Sequence, residues 1–234
     1  GIIGLCYLGW TTIAVAAPGY QYRIVGNPAD VVTSTSALLV LQGGGTDVDE
    51  NFVRMGARAG GCDFVVIRAS GTDAYNPYIY DLCSCDSVAT FVFKNRNAAF
   101  DPFVIETIRN AEALFIAGGD QSEYVQFWKN TPVEDAIHHV AAKPAPVGGT
   151  SAGMAIMGQF LYSAMSNKSL TSEVGLANPF HRDVTLDRDF VALPQLGGLI
   201  TDQHLQERNR MGRTLVFLAR LVKDPFGKTA ELDM

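Results

Sequence analysis

Positive charge is scarce in this 234-residue chain, where 18 Lys and Arg stand against 24 Asp and Glu, a net charge of −6. With a pI near 5.2, the chain lacks the basic face that nucleic acid or an anionic membrane requires, and neither is expected as a main partner. Cysteine is almost as scarce. Four residues (Cys6, Cys62, Cys83, Cys85) are too few for a disulfide scaffold, and Cys83-Ser84-Cys85 has neither the second pair nor the histidine partners of a zinc site, so no metal is expected. There is no internal repeat and no composition shift that marks a domain boundary. The ordinary 47% hydrophobic fraction and the length suit one globular domain with a large core.

Long hydrophobic runs are also missing, with one exception. Residues 2–16 carry no charge, are too short for a comfortable membrane span, and end in Ala14-Val15-Ala16, as a signal-peptide core and its cleavage site would. On that reading the mature protein starts near Ala17 and works outside the cytoplasm, extracellular or periplasmic, with no stable membrane insertion after processing. A buried first strand is the alternative. If Cys6 leaves with the signal, three cysteines remain and cannot all pair, which leaves one disulfide from Cys62 to Cys83 or Cys85 open.

Short apolar runs alternate with helical patterns along the rest of the chain. Ala37-Leu38-Leu39-Val40-Leu41 stops at Gly43-Gly44-Gly45, a helix opens at Asp47 or Asp49, and Phe64–Ile67 and Val88–Phe93 follow as strands. Pro102 starts a helix through Arg109. Ala113–Ala117 is a strand ending at Gly118-Gly119-Asp120-Gln121, Ser122 can cap a short helix to Trp128, and Thr131-Pro132-Val133-Glu134 opens another with a capping box. Residues 166–190 read as an extended connection, Gly198–Thr201 as a last strand, and Leu205 to about Val222 as a long amphipathic helix. The expected fold class is α/β, a single doubly wound, mostly parallel sheet with helices on both faces, whose ligands bind at the carboxyl ends of the strands.

Gly149-Thr150-Ser151-Ala152-Gly153 places a serine between small residues where an apolar segment meets a helix predicted to run from Met154 to Leu161. That is how a nucleophile elbow reads. A tight strand-to-helix turn lifts the hydroxyl clear of the sheet beside a base, and the helix N–H groups face a developing oxyanion. Asp202-Gln203-His204 follows the predicted last strand, which makes His204 the candidate base, whereas His138 and His139 fit an exposed helix face and His181 a loop. Arg208, Arg210 and Arg213 crowd the start of the last helix, a poor place for cations unless they bind carboxylates.

These motifs together resemble the cyanophycinase and dipeptidase E family of serine peptidases: Gly-Gly-Asp-Gln at 118–121, Gly-Thr-Ser-Ala-Gly at 149–153, and Asp-Gln-His followed by Arg-x-Arg-x-x-Arg at 202–213. The resemblance implies Ser151 as nucleophile, His204 as base, and Gln121, Asp202, Gln203, Arg208, Arg210 and Arg213 as substrate pocket. It also implies a glutamate between serine and histidine, where Glu173 is the only one. Backbone N–H groups of Ala152 and Gly119 would form the oxyanion hole. By the same resemblance residues 17–234 are one peptidase domain, cut short at its C-terminus after an ill-matching Lys228-Thr229-Ala230-Glu231.

The expected activity is hydrolysis of aspartate-containing peptides through an acyl-enzyme, with no cofactor. Cyanophycin, a polyaspartate backbone with arginines on its side-chain carboxyls, is the substrate the resemblance implies. An aspartyl or isoaspartyl dipeptidase with the same triad and a catalytically silent acidic-peptide binder are the rivals. The expected partners are thus a peptide or polymer rich in aspartate and arginine and, in a homodimer, a second copy of the chain.

Overall fold

The computed structural model describes residues 19–224. Strand β1 (Tyr20–Gly26) is followed by β2 (Leu38–Gln42), helix α1 (Asp49–Ala59), β3 (Asp63–Arg68), α2 (Tyr75–Cys83), β4 (Ser87–Phe93), α3 (Pro102–Asn110), β5 (Ala113–Ile116), α4 (Gln121–Trp128), α5 (Pro132–Ala142), β6 (Pro146–Thr150) and the single turn α6 (Ala152–Ala155). Beyond it come β7 (Phe160–Tyr162), α7 (Ser172–Ala177), β8 (Leu186–Arg188) and α8 (Met211–Lys223). Six strands form one sheet in the order β1-β4-β3-β5-β6-β2, parallel throughout except for β1, while β7 and β8 pair as a separate antiparallel ribbon.

The period of two along each strand distributes its side chains between two cores. Phe64 and Val66 of β3 meet Phe52 and Met55 of α1 and Ile79 of α2 on one face. Val65 and Ile67 meet Val104 and Ile108 of α3, Trp128 of α4 and Ile137 of α5 on the other. Both faces are covered, so the central strands read as continuous apolar runs. The mostly parallel α/β sheet expected from the sequence is present.

Several elements differ from expectation, each for a local reason. Strand β1 was not foreseen. Its Tyr20 and Tyr22 lie against Phe91 at 5.6 and 4.8 Å between ring centroids, so antiparallel pairing and aromatic packing hold a segment whose polar residues obscure its alternation. The helix after Ser151 stops after one turn instead of running to Leu161, because Phe160–Tyr162 is already extended and paired with β8, and Gly158 packs so closely that a Cβ there would lie 2.8 Å from the Leu199 carbonyl oxygen. The expected strand at 198–201 reduces to one bridge between Ile200 and Phe160. The last helix begins at Met211, not Leu205, since His204 and Asn209 hold φ of 50° and 48°, outside the helical region, and bound a tight turn. Asp120, not Ser122, caps α4, its carboxylate accepting the Ser122 N–H at 2.9 Å. The signal-like segment 2–16 and the 228–231 stretch lie outside the described residues.

Candidate active site

Strand β6 ends at Thr150, and the chain reverses into α6 at Ser151 with φ 52° and ψ −122°. A non-glycine residue in that region is strained, and the strain is held by its surroundings. The Ser151 N–H donates to the Gln42 carbonyl at the end of β2, 3.0 Å away. On the other side Gly153 lets α6 press onto β5, for a Cβ there would lie 2.0 Å from the Ile116 carbonyl oxygen. The two glycines flanking Ser151 thus serve the close strand-helix contact expected of them. Ala152 opens α6, so its N–H lacks a partner within the helix.

His204 reaches the serine from a loop that docks on the end of β2. Its N–H donates to the Gly43 carbonyl at 2.8 Å, fixing a residue whose own φ is 50°. The imidazole covers Gly44, where φ is +105° and a Cβ would sit 2.4 Å from Nε2. The Gly43-Gly44-Gly45 run, read only as a strand break, therefore also seats the histidine. Ser151 Oγ lies 2.9 Å from His204 Nε2 and 2.6 Å from Gln203 Oε1. Burial and the nearby Arg208 and Arg210 guanidiniums push the His204 pKa below its ordinary value, partly offset by Glu207.

A cleft of about 240 Å³ opens beside Ser151, lined by Gly119, Gln121, Lys168, Gln203, Arg208 and Arg210 among others. Arg210 is 6% exposed, and its guanidinium donates to the Gln203 carbonyl at 3.1 Å and to Ser169 Oγ at 3.3 Å. No carboxylate pairs with it among the described residues, and burial beside Arg213 lowers its pKa to about 10. Arg208 stands exposed on the rim. Gly119 lies on the wall opposite, packed so closely that a Cβ would meet Tyr124 Oη at 2.6 Å.

Two of the expected pocket residues have another occupation. Arg213 is fully buried and makes a bidentate pair with Asp202, Nε to Oδ2 at 2.9 Å and Nη2 to Oδ1, with its guanidinium 5.1 Å from the Tyr162 ring centroid. Asp202 also accepts from the Gln203 N–H at 2.8 Å and from Thr214 Oγ1 at 2.9 Å. Their charges satisfy one another, and the pair braces α8 against the histidine loop. Glu173 is not brought to the imidazole either. It sits exposed in the first turn of α7, where its own N–H and the Thr171 hydroxyl hold its pKa down. Asp187 pairs with Lys129 and Asp189 with Arg188, Glu231 lies outside the described residues, and His204 Nδ1 has no hydrogen-bond partner among them.

The fold is thus a mostly parallel α/β sheet with a serine-histidine contact at its strand ends. Residues 82–178, including Ser151, match the model of peptidase family S51. A cyanophycinase from Geminocystis herdmanii is 30% identical over 115 residues, 49% of this chain and 38% of that protein. One from Trichormus variabilis is 25% identical over 142 residues, 60% of this chain and 44% of that protein. The matches thus span less than half the length of these relatives. The crystal structure of a peptidase from an acI-B1 Actinobacterium superposes with a TM-score of 0.55 at 15% identity, covering 82% of this chain and 78% of that one, a likeness of fold. Over these segments the chain is similar to peptidase family S51 and to the cyanophycinases. No helix among the described residues is long and apolar enough to cross a membrane.

Proposed function

We propose that this chain is a serine peptidase of acidic peptides, with Ser151 as nucleophile on an elbow at the β6–α6 turn of a doubly wound sheet and His204 as its base. The observation that carries the reading is the 2.9 Å contact between Ser151 Oγ and His204 Nε2 on a residue held at φ 52°. As Oγ attacks the scissile carbonyl, the hydroxyl proton passes to Nε2 and negative charge grows on the carbonyl oxygen. The N–H groups of Ala152 and Gly119 are the donors suited to that oxygen. When the C–N bond breaks, His204 returns the proton to the leaving amine, and water then opens the acyl-enzyme by the same steps. Nothing in this sequence of steps calls for a cofactor.

Arg210 supports an acidic substrate, because a buried guanidinium without a carboxylate partner is unfavourable until one arrives. Lys168 and Arg208 add to the positive charge of the cleft. Cyanophycin, or an aspartyl or isoaspartyl dipeptide, supplies the needed carboxylate. The test is hydrolysis of cyanophycin beside aspartyl dipeptides, with labelling by a serine-directed phosphonate. Ser151→Ala should remain folded yet lose labelling and at least about a thousandfold in turnover. Arg210→Ala should lose roughly ten- to a hundredfold in affinity for acidic peptides, as for a charged hydrogen bond. A wild-type protein that binds acidic peptides but neither labels nor cleaves would identify a silent binder instead. Secretion through the 2–16 segment is part of this proposal, and N-terminal sequencing of the native protein should begin near Ala17.

A further inference from the structure

Three groups in a row lead away from the serine. Gln203 Nε2 donates to Gln121 Oε1 at 3.1 Å, and Gln121 Nε2 donates to the Tyr162 carbonyl at 3.3 Å. Both amides are buried, at 4% and 6% exposure. A primary amide is ambiguous on its own, since its oxygen and nitrogen ends exchange by a half-turn. Here the far end removes the ambiguity. A backbone carbonyl only accepts, so Gln121 must present its NH2 to Tyr162 and its oxygen to Gln203. Gln203 must in turn present its NH2 to Gln121, which leaves its oxygen facing Ser151. Turning either amide alone would set two acceptors or two donors against each other in a buried site, a costly arrangement.

The serine hydroxyl has one proton and two neighbours able to accept it, Gln203 Oε1 at 2.6 Å and His204 Nε2 at 2.9 Å. We propose that the Tyr162 carbonyl, acting through Gln121 and Gln203, holds the Ser151 proton on Gln203 in the resting site and so keeps the nucleophile guarded until substrate binds. In this state Nε2 carries a proton and donates to Oγ, whereas attack needs Nε2 bare and the hydroxyl turned toward it. Arg210 joins the guard to the cleft, as its guanidinium holds the Gln203 carbonyl on the face where an acidic substrate would arrive. Gln121 touches no reacting atom and is a positioning residue. The inference rests on Ser151 being the nucleophile.

The experiment measures the second-order rate of labelling by a small fluorophosphonate that carries no carboxylate, across pH, for the full chain and for Gln203→Leu, Gln121→Leu and the double variant. Gln203→Leu removes the competing acceptor. Gln121→Leu leaves Gln203 in place but frees its amide to turn, so that it offers NH2 to Oγ and the hydroxyl proton falls to His204. Each should label about two- to tenfold faster than wild type, the size of one net neutral hydrogen bond, and the double variant no faster than the better single one. The rising limb should also move to lower pH in Gln121→Leu, since the guard favours the protonated imidazole. Glu207, Arg208, Arg210 and Arg213, the charged groups around that ring, are unchanged in it. A destabilised core would lower the melting temperature without producing that shift. If Gln203→Leu fails to fold, Gln121→Leu alone decides. Rates equal to or below wild type with an unmoved limb overturn the guard, provided wild-type labelling depends on Ser151. Absence of labelling in wild type removes the nucleophile reading and the guard with it.

Discussion

At His204 the surroundings oppose protonation, because burial removes water from the imidazole and Arg208 and Arg210 repel an added positive charge. The ring therefore stays neutral, and able to act as base, to lower pH than an ordinary histidine, and the rising limb of the rate profile should lie below about pH 6.5. Arg208→Gln removes one repelling charge from the rim, favours the imidazolium and should move the limb to higher pH. A limb that stays put or moves down would show that the guanidinium is not felt at the ring. The adjoining expectation concerns Glu173, whose carboxylate is engaged at its own helix start and faces solvent. Glu173→Ala should keep turnover within about twofold of wild type, whereas removal of a true triad acid typically costs around ten-thousandfold. A loss of that larger size would restore the glutamate to the triad.

The serine and histidine meet because the ends of β6 and β2 lie side by side. Ser151 hangs from the Gln42 carbonyl of β2, and His204 hangs from Gly43 one residue on. Gly44 has no room for a side chain beneath the imidazole, and its φ of +105° disfavours any other residue. The clash in Gly44→Ala falls on a ring that can swing away, so the protein should fold with about 1–3 kcal/mol less stability while phosphonate labelling collapses. Retained labelling would mean the ring does not depend on that seat. Gly153→Ala differs in kind, for there the obstruction is the backbone of β5 at 2.0 Å.

The same elements explain how far the sequence could be read. Continuous apolar runs announced β3, β4 and β5, and the Gly-x-Ser-x-Gly spacing announced the turn at Ser151, because burial and backbone strain leave local signatures. His204 was singled out by its place after the strand expected at 198–201, which is reduced to a single bridge, yet the histidine does reach Ser151. What stayed hidden was pairing at a distance: Arg213 read as a free carboxylate binder because nothing local reveals that Asp202, 11 residues earlier, folds back to satisfy it. The exposed place of Glu173 was hidden for the complementary reason, as its position between serine and histidine in sequence does not determine where α7 lies. The amide row from Ser151 to Tyr162 joins residues up to 82 apart and has no sequence signature at all.

Across the whole molecule the net charge of −6 means that acidic groups repel one another, and two of them also lose solvation on folding. Glu112 and Glu134 both have pKa values raised above the ordinary carboxylate value, in each case chiefly by burial. A folded pKa above the unfolded one stabilises the protein below about pH 4.5, and that contribution is lost as pH rises through the folded value. At neutral pH each ionised carboxylate therefore works against the fold. Glu112 accepts from the Asp63 N–H at 3.0 Å, and Glu134 from that of Asn130, bonds that an amide oxygen can also accept. Glu112→Gln and Glu134→Gln should each raise the melting temperature at pH 7 and remove one negative charge without disturbing the packing. The gain should shrink toward pH 4, where the native carboxyls are themselves protonating. Lys143 partly offsets the penalty at Glu112, so its gain should increase further in the Lys143→Met background, and an equal gain at every pH would assign the effect to something other than ionisation.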